Sequence, residues 1–272
     1  MKATKIERPN HTGLIVVAAT IILVALGTGA VLGYEKLKSI YLEQCVITDM
    51  ATQVEISAGK MVHPSTIAEE LGLRVGANLA LIDFSAKREE LLAKVPNLRE
   101  VRISRRLPDK VVISTDERTP VARMGLKGKN NVTGRVVDTE GMVFSWQRGT
   151  QTLPLIREAQ APGTARGRHA KGRTMAALRL VEACLSPELV ELGVLEVDTS
   201  KHDFLVATLG NYSKLKILWD GMDEPQTPAS KADLLQRLTR LRDAIRSRVA
   251  SNAVIWNATV PARIFADTQE KL

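Results

Sequence analysis

The longest apolar run in the chain comes first. No charged residue occurs between Gly13 and Gly33, and LIVVAATIILVALGTGAVLG supplies about the 20 apolar or small residues that a helix needs to cross hydrocarbon. Residues 13–34 are therefore expected to form a single transmembrane helix. Thr28, Gly29 and Ala30 could suit a signal peptidase, but the run continues past them, which favours a retained anchor. EKLKSIYLEQC, residues 35–45, reads as an amphipathic extension and juxtamembrane linker. Gln53–Ser57 alternates like a strand. Pro64 opens a helix with Ile67 and Leu71 on one face, and Gly72 stops it. A second helix over 85–94 turns Leu91, Leu92 and Val95 inward before Pro96 breaks it. Strands at 101–105 and 111–115 follow, joined by RLPDK, whose Pro108 and Asp109 suit a turn. The order is β-α-α-β-β, three strands with two helices to cover their apolar face.

The distal half is patterned as a second α+β unit. Gly141 is suited to a hairpin turn. REAQAPGTARGRHAKGRT has no apolar periodicity, so 157–173 is expected to be a loop. A helix over 174–185 and a short one from Ser186 precede strands at 194–197, 204–209 and 214–219, the last two joined by GNYS. A long helix begins near Ser230, with Ser230 and Asp233 placed for a capping box. Its stripe is Leu234, Leu238, Leu241, Ile245 and Val249, with Arg237, Arg240 and Arg248 around it. Terminal strands are expected at 254–258 and 262–266.

Composition and charge change this picture little. The 272 residues carry a net charge of +8, a weak footprint for nucleic acid, and Trp146, Trp219 and Trp256 are too dispersed to stack on bases. Lys2, Lys5 and Arg8 precede the apolar run while Glu35 follows it, which favours a cytoplasmic N-terminus and an exported bulk. Of two cysteines, Cys184 reads as a buried free thiol, with a pairing to Cys45 left open; Glu43 and Gln44 stand where a lipoprotein signal would need small residues.

Catalytic chemistry is missing from the pattern. His11, His63, His169 and His202 show no metal-ligand spacing, and neither a nucleophile elbow nor a phosphate-binding loop occurs. Asp138-Thr139-Glu140 superficially matches an aspartic-protease loop, but Glu140 replaces the glycine that would admit backbone amides to the carboxylate. No catalytic residue, cofactor, metal or small-molecule substrate is expected. Asn10, Asn131, Asn211 and Asn257 each begin an N-x-S/T triplet, read as idle.

One stretch, VEISAGKMVHPSTIAEELGLRVGANLALIDFSAKREELLAKVPNLREVRISRRLPDKVVISTDERTPVA, resembles the POTRA domain of the bacterial cell-division proteins FtsQ and DivIB. The resemblance lies in Gly72, Gly76 and Asn78 of GLRVGANL, the VPNLREVRISRRLPDKVVI hairpin and the ERTPVA box at 117–122, and it extends into VVDTEGMVF and TLPLI. It implies an α+β chain: a cytoplasmic N-terminus (1–12), an anchor (13–34), a linker (35–45), a POTRA domain (46–119), a mixed β-sheet domain with packed helices (120–268) and a tail (269–272). It further implies a non-catalytic divisome scaffold in the inner membrane at the septum, engaging FtsB- and FtsL-like partners by β-augmentation. The edge would be the strand Ala262, Arg263, Ile264, Phe265 and Ala266, of which only one of Ile264 and Phe265 can face a partner, with Pro261 marking where pairing starts. The family's usual acidic and basic pair and tyrosine are replaced here by Ile255, Asn257 and Ala258. A POTRA-bearing envelope chaperone is the alternative, though such proteins normally carry repeated modules or a barrel, and one module is seen.

Overall fold

In the computed structural model, Thr12–Gln44 form one uninterrupted helix, α1, about 50 Å long at 1.5 Å per residue. The structure describes residues 12–127, 134–146, 149–159, 164–247, 250 and 252–268, with side chains placed for all but 12–19, 22 and 25. Much of the apolar run thus lies outside the described side chains, and among the described residues no helix is long and apolar enough to cross a membrane. Those that are described, Ile21, Leu23, Val24, Leu26, Val31 and Leu32, are all more than half exposed. The helix does not fray at its far end. Asn78 donates its side-chain amide to the Leu42 carbonyl at 2.7 Å, satisfying one of the acceptors orphaned at a helix C-terminus. Beyond it, Cys45 and Ile47 are fully buried, tied by Ile47 N–H to Ala77 O and by Leu79 N–H to Cys45 O.

The chain divides into two compact units: Met1–Ser57, Pro64–Lys87 and Arg102–Ser114 form the first, and Ala58–His63, Arg88–Val101 and Thr115–Leu272 the second. A one-turn helix α2 (Met50–Gln53) leads into β1 (Val54–Ser57), followed by α3 (Pro64–Glu70), α4 (Phe84–Lys94), β2 (Leu98–Arg106) and β3 (Lys110–Glu117). The three strands form a sheet in the order β1-β3-β2, with β1 parallel to β3 in register Val54↔Val111 and Ile56↔Ile113. This is the β-α-α-β-β order read from periodicity. Ile67, Leu71, Leu91, Val111 and Ile113 are fully buried and Val101 is nearly so, whereas Leu92 and Ile103 are only partly covered.

A nine-stranded sheet organises the second unit: β4 (Ala122–Leu126), β5 (Arg135–Val137), β6 (Val143–Ser145), β7 (Leu155–Glu158), β8 (Glu196–Asp198), β9 (Leu205–Thr208), β10 (Lys214–Ile217), β11 (Ile255–Ala258) and β12 (Phe265–Asp267), in the spatial order β12-β11-β10-β9-β8-β7-β4-β5-β6. Helices α5 (Gly172–Cys184) and α6 (Pro228–Arg246) are crossovers between the parallel pairs β7/β8 and β10/β11. Their apolar stripes, Ala176, Leu180 and Val181 with Leu234, Leu238 and Leu241, share one core with Met124, Ile156, Val197, Ala207, Leu215 and Ile217 of the sheet. Ile245 packs at its margin; Val249 and Arg248 lie outside the described residues.

Three local expectations are corrected. The cap of α6 is Thr227, whose hydroxyl accepts from Ser230 N–H at 3.1 Å; Pro228 suits the first helical position and starts the helix early, leaving Ser230 buried inside it. Arg237, expected on the solvated flank, is 4% exposed and joins Asp233 to the carbonyl of Ala258. No regular α-helix starts at Ser186; a single 3₁₀ turn occupies Val190–Leu192. The expected loop after β7 is anchored at its base: buried Glu158 accepts from the backbone and hydroxyl of Thr164 and faces buried Arg135, because a carboxylate removed from water must be met by donors. Residues 160–163 of that loop lie outside the described residues.

Both cysteines are free and buried. Burial pushes the Cys184 thiol up to about 12. An exposed thiol ionises near 9.0, so the folded state holds its proton longer, and the stability this contributes is complete below about 9 and is lost as the pH rises toward 12. Cys184 is therefore expected to resist alkylation at pH 8 in the folded chain and to react at once in denaturant; rapid labelling of the native protein would contradict the packing of α5.

Two of the N-x-S/T triplets have a backbone role. Asn211 Oδ1 accepts from the backbone and hydroxyl of Ser213, and Asn257 Oδ1 does the same with Thr259. Each closes a turn at a strand end. Asn10 and Asn131 lie outside the described residues.

Candidate docking edge

An open sheet edge is a row of backbone donors and acceptors awaiting a partner strand, and a nine-stranded sheet has two of them. One is occupied. Along β6, Val143 N–H donates to Arg168 O at 3.0 Å and Gly167 N–H donates to Val143 O at 2.7 Å, so the 167–169 segment lies against the outer side of that strand. The other edge is β12. It pairs antiparallel with β11 in register Asn257↔Phe265 and Trp256↔Ala266, and among the described residues no strand lies on its far side.

The support beneath this edge is rigid. The guanidinium of Arg237 is engaged within the protein: Nε donates to both oxygens of Asp233 at 3.0 Å and Nη1 to Ala258 O at 2.9 Å, fastening α6 to the end of β11. Trp256 is nearly buried on the core side of β11. The Asn257–Thr259 turn and a left-handed Ala262 at φ +60° then reverse the chain into β12. A left-handed residue cannot continue a strand, so pairing begins at Phe265, four residues after Pro261.

The five residues singled out from the sequence accordingly separate. Ala262 and Arg263 belong to the turn, with Arg263 N–H pointing back to Val260 O at 3.5 Å. Ile264 is partly buried against the core. Phe265 and Ala266 are in the strand and exposed, with 48% of the phenylalanine open to solvent. Of the pair that alternation sets on opposite faces, Phe265 is the outward one. Val260, 42% exposed, adds a second apolar side chain in the preceding turn. Sequence reasoning overlooked Arg237, whose place on the polar flank of a helix gave no sign that it reaches a strand carbonyl.

Elsewhere the described residues offer little chemistry. Among the described residues no group of His, Cys, Asp and Glu is placed to hold a metal ion. Asp138, in the protease-like triplet, accepts from Met142 N–H and pairs with Arg118 in a hairpin turn made by Gly141 at φ +82°. That carboxylate is fully engaged by structure. A cleft of about 440 Å³ between α5 and α6 is lined by both signs of charge, among them Arg179, Glu182, Glu188 and Lys231.

Comparison with known proteins places residues 51–118 under a family model described as a POTRA domain of FtsQ type. A cell division protein FtsQ of Streptomyces bingchenggensis (strain BCW-1) is 24% identical over 201 residues, covering 73% of this chain and 72% of the relative. A cell division protein FtsQ of Streptomyces collinus is 29% identical over 117 residues, 42% of this chain and 43% of the relative.

Proposed function

The chain belongs to the FtsQ/DivIB family of cell-division proteins, and on that premise we propose that it is a non-catalytic, membrane-anchored scaffold that gathers other membrane-bound division proteins at the septum. The observation that carries the docking part is the asymmetry of the large sheet: one edge is covered by 167–169, while β12 presents Phe265 and Ala266 beside a strand braced by Arg237. A partner segment of FtsB or FtsL type adds a strand here, its main chain supplying affinity and contact with the exposed Phe265 and Val260 supplying selectivity.

The anchor is supported by the uncharged run from Gly13 to Gly33 within a continuous 33-residue helix whose described apolar side chains face outward from the chain. Such a helix matches hydrocarbon and mismatches water. The basic flank at Lys2, Lys5 and Arg8 orients the N-terminus to the cytoplasm. Confinement to the membrane plane raises the effective concentration of partners held there, so a short edge suffices.

Deleting Ala262–Leu272 from the full-length chain is expected to abolish partner co-purification while circular dichroism stays unchanged. Phe265→Asp, a surface change that leaves the core intact, is expected to weaken binding by about 2 kcal/mol, roughly thirtyfold in Kd. Undiminished binding by both variants would remove β12 from the interface. A fluorescent fusion spread uniformly around the envelope during constriction would remove the septal role.

A further inference from the structure

The root of α1 is surrounded by an apolar and basic surface that nothing among the described residues covers. Arg105, next to the last residue of β2, donates to the Ile82 carbonyl and lies 4.7 Å over the Phe84 ring. The end of β2 is thereby held to the segment at 82–84, and Asn78 of the same loop is tied to the Leu42 carbonyl of α1. Around this junction Leu37, Leu81 and Leu107 are half or more exposed, joined by Ile40 and Tyr41 at over 40%. Exposed cations accompany them: Lys36 and Lys38 on α1, Arg105 and Arg106 at the end of β2 and Lys110 at the start of β3. The nearby carboxylates are fewer and two are occupied, Asp83 by the N–H groups of Ser85 and Ala86, Asp109 by the Gln53 amide at 3.4 Å; Glu35 and Glu43 remain on α1.

Distance along the helix decides what this surface meets. Tyr41 follows Gly33 by eight residues, about 12 Å of rise. The headgroup layer itself extends roughly 5–8 Å beyond the hydrocarbon. Arginine and lysine side chains reach the difference, and a helix tilt of about 20° shortens it on one side. Since Asn78 caps Leu42 and 45–47 are hydrogen-bonded to 76–79, the junction cannot swing away on a flexible tether.

We infer that this surface, Leu81 and Leu107 with Arg105 and Arg106, rests on the headgroups of an anionic bilayer and fixes the height and orientation of the first unit above it. The inference rests on α1 being a membrane anchor. Aliphatic tips flanked by cations are the chemistry of interfacial contact with anionic lipid. Because α1 has already brought the surface to the bilayer, weak contacts suffice.

The test uses the full-length chain in nanodiscs containing phosphatidylglycerol, with an environment-sensitive fluorophore on Leu107→Cys or Leu81→Cys; native Cys45 and Cys184 are buried and do not compete for label. Both probes should be quenched by a headgroup spin label. Replacing phosphatidylglycerol with phosphatidylcholine, or Arg106 with Gln, should lower the contact roughly fivefold per charge removed. A third probe on Val24→Cys with an acyl-chain spin label reports the anchor separately. Quenching at Val24 without quenching at 81 or 107 overturns the surface contact and leaves the anchor standing; no quenching at Val24 overturns both. Probes at 81 and 107 that are shielded yet unquenched by lipid would assign the patch to a protein and also overturn the inference.

Discussion

Arg118→Ala should destabilise the second unit by about 3–5 kcal/mol, the cost of stripping a buried carboxylate of its cation. Arg118 follows β3 and is 9% exposed; its Nη1 meets Asp138 Oδ2 at 2.5 Å and Glu140 Oε2 at 2.8 Å, while its backbone N–H donates to Asn97 O. Asp138 is 4% exposed and, among the described residues, keeps the Met142 N–H as its donor once the guanidinium is gone. Burial works against the charged Arg118, yet hydrogen bonds to the two carboxylates outweigh it and hold its pKa above the ordinary value. Urea unfolding followed by tryptophan fluorescence is the measurement, since Trp146, Trp219 and Trp256 all lie in the same unit as Arg118. Arg118→Ala with Asp138→Ala should cost less than the sum of the singles, because the second change removes the charge the first had stranded. A single-variant cost below about 1 kcal/mol would mean that Asp138 finds water instead.

The same cluster sets an acid dependence. The hydrogen bond from Arg118, partly opposed by burial, holds Glu140 below the usual carboxylate range, with Arg99 adding to it. A depressed folded pKa contributes stability above the unfolded value and loses it as pH falls through the folded one. Wild type should therefore lose stability on acidification by an increment that Arg118→Ala lacks.

Leu91→Ala is expected to cost about 2–5 kcal/mol, the range for emptying a fully buried leucine site. Leu91 has no exposed surface, while its neighbour Leu92, which the helical pattern also turned inward, is only partly covered. The adjacent side chains are about 100° apart on a helix, so only one can point at the centre of the core, and Leu92→Ala should cost distinctly less. Hydrogen exchange over Arg88–Val101, the stretch of the second unit that contains both leucines, separates the two in the nanodisc-held chain: protection should collapse in Leu91→Ala and persist in Leu92→Ala. Equal losses would mean that α4 is rotated.

The proposed docking edge is partly legible in the sequence. The alternation around Ile264 and Phe265 marks a terminal strand, and the resemblance to cell-division proteins is what led us to propose that strand for docking. The strand begins three residues later than the pattern suggests, since nothing in Pro-Ala-Arg announces that Ala262 takes the left-handed conformation, which alanine seldom adopts. The role of Arg237 is equally hidden. Its partners, Asp233 one turn away and Ala258 on another strand, meet only when α6 lies across the sheet.

Local pattern was enough for the elements themselves. Gly141 marked the turn of the β5–β6 hairpin, the leucine spacing determined which face of α6 is buried, and the uncharged stretch after residue 13 determined a long apolar helix. These are properties of side chains within one or two turns of each other, and periodicity records them directly. The order of nine strands, the covering of β6 by 167–169 and the opening at β12 were decided only by tertiary structure. Backbone hydrogen bonds between distant segments make those choices, and every residue other than proline carries the same donor and acceptor, so side-chain pattern leaves them unmarked. Buried charges follow the same rule. Arg118, Arg135 and Arg237 read as solvated cations until the carboxylates and carbonyls that meet them arrive from elsewhere in the chain.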